Sequence, residues 1–274
     1  MPSVRSILST LGIAPNRKLG QNFLVHPEVA EKIAAWSDVP EGATVIEIGP
    51  GLGALTQVLL ARHSVLAIEK DKKLFTHLAS AWKDRSGFTV VHEDALNFDY
   101  AALPRDRAPY FVCSNLPYSV STPVIEALLA HRSLFSGITL LLQKELVDRL
   151  LAVPGTPAFG SLTVFVQSQC DVVGGPLISR GSFHPAPDVD SKLVRLVPRA
   201  ELRAKVPDES GFFSFVQSMF QFRRKSIRKA LEHVTRRKGK DFDGIVGEEI
   251  LGDRIEERSI EEIAALYATL RNLP

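Results

Sequence analysis

The sequence predicts an α/β protein in which a doubly wound, mostly parallel sheet is followed by a small all-helical domain. Short apolar runs at 43–48, 64–68, 88–91, 110–113 and 138–142 alternate with segments whose apolar residues recur at helical spacing. Those runs are nearly continuous, as strands covered on both faces require. After residue 210 every apolar pattern is helical.

Residues 1–28 read as an irregular arm that carries Lys18, Gln21, Asn22, Phe23 and Leu24. Pro27 opens a helix with Val29, Ile33 and Trp36 on one stripe. The first strand runs into Gly49-Pro50-Gly51-Leu52-Gly53 and then a helix holding Leu55, Val58 and Leu59. The second strand ends at Glu69 and precedes a helix marked by Leu74, Leu78 and Trp82. The third ends in Glu93-Asp94, the fourth at Asn115 and the fifth at Gln143-Lys144. Thr122 and Pro123 suit the N-cap and first residue of the helix after the fourth strand.

Residues 162–166 and 192–197 are β-rich and read as an antiparallel pair at one sheet edge. Between them, Phe183-His184-Pro185-Ala186-Pro187 is too rich in proline for a central strand. Residues 198–210 form a polar linker. Phe212, Phe215, Val216, Met219 and Phe220 then share a helical face, continued by Ile227, Leu231 and Val234. Ser259-Ile260-Glu261-Glu262 is a capping box. The expected domains are therefore 1–200, with 1–28 as its arm, and 201–274.

With 274 residues, 45% hydrophobic and 23% charged, the composition is that of a globular protein. No apolar run approaches the roughly 20 residues that span a bilayer, and the N-terminus has no signal-peptide pattern. Cys113 and Cys170, in no metal-ligand spacing, suit small core hydrophobes in a reducing cytoplasm. The seven histidines are scattered, and no metal site is expected. Within 221–240, nine Lys/Arg face one acid, Glu232, so a net charge of +2 hides a local +8. That clustering points to a polyanion partner, although a solvated helix face is the plainer reading for any one cation.

The chemistry gathers at the strand ends. In open α/β sheets ligands bind there. An exocyclic amine on a purine is a poor nucleophile because its lone pair is delocalised into the ring. The Asn115 side-chain oxygen and the Leu116 carbonyl can both accept from such an amine and aim its lone pair. Pro117 stiffens the turn, and Tyr118 offers a face for stacking, worth roughly 1–3 kcal/mol per base. A polar loop capped by Pro-Tyr is the alternative.

Gly49-x-Gly51-x-x-Ala54, with Glu69 further on, also fits a dinucleotide fingerprint, so a nicotinamide dehydrogenase competes here. Pro50 removes a backbone donor from any phosphate cradle, and Glu47 puts negative charge beside it. Both favour a ligand with a cationic centre, such as S-adenosylmethionine, over a pyrophosphate. Glu69 can accept from ribose hydroxyls, and Asp94 from an adenine amine.

With these residues placed, the chain resembles the adenine N6,N6-dimethyltransferases of ribosomal RNA, and most of all the bacterial small-subunit type. The resemblance rests on Leu19 to Leu24, Glu47 to Gly53, Glu93-Asp94-Ala95, Asn115 to Tyr118, Gln143-Lys144-Glu145, Phe183-x-Pro185-x-Pro187-x-Val189-x-Ser191 and Phe222 to Arg228. It implies a Rossmann-like sheet of the methyltransferase type with an antiparallel edge strand. S-adenosylmethionine would be the cofactor and S-adenosylhomocysteine the product. The substrate would be two adjacent adenines near the 3′ end of 16S rRNA, in an immature 30S subunit, met by a cytoplasmic monomer.

By the same resemblance Gln21, Asn22, Leu24, Gly49, Gly51, Glu69, Asp94 and Asn115 bind the cofactor. Asn115, Leu116, Pro117, Tyr118 and Phe183 form the catalytic set, with Phe183 packing on the target base opposite Tyr118. Arg223, Arg224, Lys225, Arg228 and Lys229 contact RNA. Phe222 departs from a position where the family often has Gln. The large-subunit methylases that confer antibiotic resistance share the catalytic motif, and a non-catalytic assembly factor on the same fold is a further alternative.

Overall fold

The computed structural model describes residues 3–15 and 20–271, so Lys18 and Leu19 lie outside the described residues. In chain order the elements are α1 (Val4–Thr10), β1 (Phe23–Leu24), α2 (Pro27–Trp36), β2 (Thr44–Ile48), α3 (Ala54–Leu59), β3 (Ser64–Glu69), α4 (Lys72–Ala81), β4 (Phe88–His92), β5 (Tyr110–Asn115), α5 (Ser121–Ala130), β6 (Phe135–Gln143), α6 (Lys144–Leu150), α7 (Ser161–Gln169), β7 (Cys170–Ile178), β8 (Phe183–His184), β9 (Ser191–Pro198), α8 (Glu209–Gln221), α9 (Ile227–Thr235), α10 (Glu248–Gly252) and α11 (Ile260–Arg271).

They form two compact units. One is Met1–Val147 with Val172–Pro198, and the other is Asp148–Asp171 with Arg199–Pro274. The contiguous division expected at residue 200 is corrected accordingly. Segment 148–171 belongs to the helical unit because Ala152, Phe159 and Val164 are buried in one cluster with Phe212, Val216 and Met219.

In the first unit a seven-stranded sheet has the order β4-β3-β2-β5-β6-β9-β7. β4, β3, β2, β5 and β6 pair in parallel, and β9 pairs antiparallel with β6. The continuous apolar runs are explained by burial: Val45, Ile46, Ile138, Leu140, Leu141 and Leu142 are fully enclosed. β2 lies between the β3–β4 side and the β5–β6 side, so the chain reverses its direction of winding there. A crevice opens at the carboxyl ends of strands on either side of such a switch.

Three local expectations are overturned. Residues 162–166 are helical, within α7, not an edge strand. The Thr163 hydroxyl accepts from Gly160 N at 3.1 Å and donates to the Arg149 carbonyl at 2.7 Å. Gln167 Nε2 donates to the carbonyls of Leu150 and Ala152, both at 2.9 Å. These bonds and a buried face outweigh weak β propensity. The strand beside β9 is instead β7, at residues 170–178. α5 begins at Ser121, so Thr122 and Pro123 sit inside its first turn and the N-cap position is Val120. The arm, finally, is not wholly irregular. Ser3 caps α1 by accepting from Ser6 N at 3.2 Å, and Leu8 packs with Ile13, Phe23 and Leu74.

The glycine turn after β2 is held by close packing as well as by conformation. Gly53 has φ +82°, and a Cβ there would stand 2.3 Å from the Trp82 ring. Gly53→Ala should therefore lower stability by about 1–3 kcal/mol. A denaturant melt checks this, and an unchanged midpoint would remove the packing role of Trp82.

In the second unit the predicted capping box is present. Glu262 N donates to Ser259 Oγ at 3.2 Å, and Ser259 N donates to Glu262 Oε2 at 2.7 Å. α8, α9 and α11 enclose Phe212, Ile227, Leu231 and Ile263 completely or nearly so. Among the described residues no helix is long and apolar enough to cross a membrane.

Candidate active site

An open cleft lies at the carboxyl ends of β2, β3, β4 and β5. Gly20 to Leu24 of the arm line it, together with Glu47 to Leu52, Glu69 to Asp71, Glu93 to Ala95 and Asn115 to Val120. All eight residues expected to bind cofactor are in that lining.

Glu47 is the penultimate residue of β2, just before the glycine turn, and is 2% exposed. Its Oε2 has no hydrogen-bond partner among the described residues. Burial pushes its carboxyl up to about 8, with Thr56 offsetting part of the rise and Glu69 adding to it. A buried acid with one unpartnered oxygen, beside a cradle with positive φ at Gly49 (67°) and Gly51 (60°), suits a cationic ligand centre better than a phosphate. The residues present thus fit S-adenosylmethionine, which carries a sulfonium and an ammonium.

Glu69 ends β3 and is fixed from both sides. Its Oε2 accepts from Gly51 N at 3.2 Å, and its Oε1 accepts from Asp71 N at 2.8 Å. Burial nevertheless raises its carboxyl to about 7. For Asp94, burial also pushes upward, but the Lys70 hydrogen bond and the Leu96 amide outweigh it and hold the carboxyl below its usual range. Lys70 Nζ reaches Asp94 Oδ2 at 2.6 Å, and Leu96 N reaches Oδ1 at 3.1 Å. Asp71 caps α4 and accepts from Gln21 Nε2 at 3.3 Å, tying the arm to the cleft. Sequence reasoning missed Lys70 and Asp71. The available signal was only that both follow Glu69 directly.

The turn after β5 holds the reactive group. Asn115 Nδ2 donates to the Asn22 carbonyl at 3.1 Å. The amide's donor end is thereby engaged by the arm, and its acceptor end, Oδ1, is kept for a donor entering the cleft. Asn22 Nδ2 in turn donates to the Gly20 carbonyl at 3.1 Å. A Cβ at Gly20 would lie 3.2–3.3 Å from Ser119, Pro117 and Tyr118, and one at Gly49 would lie 3.6 Å from Pro117. Arm, glycine turn and catalytic turn therefore pack as one assembly. The Leu116 side chain is 1% exposed and anchors the turn, leaving its carbonyl as the second candidate acceptor. The Tyr118 hydroxyl shares a hydrogen bond with Ser191 Oγ at 2.5 Å.

The family model for ribosomal RNA adenine dimethylase matches residues 13–270. The chain belongs to the ribosomal RNA adenine dimethylase family. Ribosomal RNA small subunit methyltransferase A of Geobacter metallireducens is 39% identical over 276 residues, covering 96% of this chain and 98% of its own. The protein of the same name from Lactiplantibacillus plantarum is 40% identical over 234 residues, covering 83% of this chain and 79% of its own. A dimethyladenosine transferase from Plasmodium falciparum superposes with a TM-score of 0.73 at 23% identity, over 91% of this chain and 96% of that one. The 23S rRNA methyltransferase ErmE gives 0.66 at 24% identity, over 92% of this chain and all of that one. These last two establish the fold alone. The nicotinamide dehydrogenase reading ends here, since the dimethylase is a methyltransferase of the S-adenosylmethionine-dependent type whose substrate is ribosomal RNA.

One expected catalytic residue is placed elsewhere. Phe183 does not line the cleft of the dimethylase. It is 4% exposed and lies in an apolar cluster with Leu24, Ile33 and Leu193. β8 pairs antiparallel with β1, setting Phe183 opposite Leu24, and that pairing uses the ring as core.

The five expected RNA contacts also separate. Arg223 binds Glu256 at 2.5 Å and the Pro157 carbonyl at 2.9 Å. Arg228 binds Asp243 at 2.5 Å, Glu248 at 2.7 Å and the Gly239 carbonyl at 2.8 Å. Lys229 pairs with Glu232 at 2.9 Å. Lys225 Nζ lies 2.8 Å from His233 Nε2, and that imidazole stacks on Phe222 at 4.6 Å. So Phe222, the departure from the family pattern, has a packing role. Arg224 is exposed and has no side-chain partner among the described residues. Arg224→Glu should therefore weaken RNA binding and lower the salt slope by about one. Arg228→Glu should instead lower the melting temperature of the helical unit. Filter binding across a salt series with parallel melts checks both, and equal salt slopes in wild type and Arg224→Glu would remove the phosphate contact.

Proposed function

We propose that this protein transfers methyl groups from S-adenosylmethionine to the N6 amines of two adjacent adenines near the 3′ end of 16S rRNA. The observation that carries the reading is the fixed amide of Asn115. Its donor end is held by the arm and its acceptor end is available over a cleft with a glycine cradle and a buried acid with one unpartnered oxygen.

S-adenosylmethionine supplies a methyl group on a sulfonium and leaves as S-adenosylhomocysteine. Glu47 would balance the cationic end of that ligand, Glu69 would hold its ribose and Asp94 its adenine. Gln21, Asn22 and Leu24 would cover it from the arm. The target adenine must leave its stack to enter the cleft. Tyr118 supports its ring face. Asn115 Oδ1 and the Leu116 carbonyl accept from N6–H and turn the nitrogen lone pair toward the methyl carbon. No histidine or lysine lies in the motif, so positioning carries most of the acceleration. N6 gains the methyl and loses its proton to water. For the second transfer the monomethylated amine keeps one N–H for one of the two acceptors.

The basic segment of the helical unit supplies phosphate contacts, with Arg224 foremost and Lys225 beside it. An immature 30S subunit is the proposed partner, a monomer the proposed active form and the cytoplasm the proposed location. Mass spectrometry of 16S rRNA from cells with and without the gene tests the reading. Dimethyladenosine pairs should be lost with the gene and restored by the purified protein acting on undermethylated 30S particles. Dimethylation that persists without the gene would exclude it.

A further inference from the structure

We propose that Ser191 is a positioning residue that fixes the place of the Tyr118 ring in the cleft, and so the efficiency of transfer, without touching cofactor or substrate. This rests on the reaction proposed above.

Tyr118 follows Pro117 in a turn, where nothing in the backbone fixes the rotation of a phenol about its side-chain bonds. Tyr118 lines the cleft, and its hydroxyl meets Ser191 Oγ, a residue outside that lining, at 2.5 Å. Ser191 is completely buried, and its own position is unusually well determined. It is the first residue of β9, in register with Gln143 at the end of β6. The neighbouring Asp190 is held on both sides. Its carbonyl accepts from Lys144 N at 3.0 Å, and its carboxylate accepts from Arg180 N at 2.9 Å. The sheet register therefore locates a hydroxyl at one fixed point, and that point anchors the far end of the ring.

Both Cβ and the hydroxyl oxygen lie on the long axis of the ring, so holding them fixes that axis and stops the ring from swinging about the Cα–Cβ bond. Base stacking depends on where the ring stands, and in-line transfer depends on where the stacked base puts N6. A freed ring would still offer a stacking face, so RNA affinity would hold while the productive fraction of complexes fell. Such a loss appears in kcat and not in KM. The sequence offered a trace of this role, because Ser191 closes the Phe183-to-Ser191 motif.

The test uses the full-length protein, undermethylated 30S particles and three variants: Ser191→Ala, Tyr118→Phe and the double substitution. Tyr118→Phe removes only the anchored hydroxyl and keeps the ring, so it reports even if Ser191→Ala disturbs the sheet end. Each single variant should lower kcat by roughly tenfold. KM for the particle and Kd for S-adenosylmethionine should stay within about twofold. The double variant should be no slower than either single one, because all three break the same hydrogen bond. Wild-type kcat in Tyr118→Phe overturns the proposal, as does multiplicative loss in the double variant. A wild-type protein that transfers no methyl at all would instead overturn the reaction itself, and this assignment with it.

Discussion

Asn115→Ala should lower methyl transfer by roughly 10²–10³-fold, the scale seen when one preorganised hydrogen-bonding group is removed from a reaction centre. The reason is geometric. The amide has two ends, and the arm takes one of them through the Asn22 carbonyl. The remaining oxygen is an acceptor only, and in the cleft it can accept from the target amine. Alanine removes that acceptor and opens the arm contact at once. The glycine cradle, Glu47, Glu69 and Asp94 are untouched, so S-adenosylmethionine should still bind within several-fold of wild type. Single-turnover transfer and calorimetric titration separate the two. Near-normal turnover in Asn115→Ala would end the amine-orienting role. Asn115→Asp is a useful companion: a carboxylate cannot donate to the Asn22 carbonyl, so it keeps an acceptor while losing the orientation.

The second large effect is in stability against pH. Two carboxyls of the ligand-free cleft are raised by burial, Glu47 to about 8 and Glu69 to about 7. The folded protein therefore holds protons that the unfolded chain releases near the ordinary glutamate value. Stability is fully present below that value and falls as pH rises toward 7–8. While one carboxyl is protonated only in the folded state, the slope is on the order of 1.4 kcal/mol per pH unit. The melting temperature of the ligand-free protein should thus drop by several degrees between pH 5 and pH 8. Glu47→Gln should flatten the curve, because a neutral amide has no proton to lose. Saturating S-adenosylmethionine should protect most at the alkaline end, where a charged Glu47 gains a partner. A melting temperature that is level or rising across that range would rule out a neutral buried Glu47. The same substitution should weaken cofactor binding above pH 8, where the wild-type acid is ionised.

Much of this protein was legible in one dimension. Five apolar runs alternating with helical spacing are enough to specify a parallel sheet, because strands covered on both faces tolerate few polar residues. Glu47, Glu69, Asp94 and Asn115 each stand where such a run ends, so their convergence on one cleft follows from strand direction alone. The capping box at Ser259 and Glu262 is equally local, since its two hydrogen bonds span three residues.

Other features depend on partners far along the chain. Residues 162–166 have a strand's composition, but Gln167 and Thr163 tie them to the carbonyls that end α6, and the segment folds as a helix. Phe183 looks like a second base-stacking ring until its pairing with Leu24 turns it into the core. Arg223 and Arg228 read as RNA contacts among nine cations, but Glu256, Asp243 and Glu248, up to 33 residues away, engage them. Glu47 and Asn115 illustrate the same limit within the site. Their chemical types are written in the sequence, but the missing partner of one and the fixed orientation of the other exist only once the arm, the glycine turn and the β5 turn have packed together. Residue type and period determined the sheet and the inventory of groups at its edge. Tertiary packing decided which of those groups remain free to act, because hydrogen bonds and burial are satisfied between neighbours in space and not in sequence.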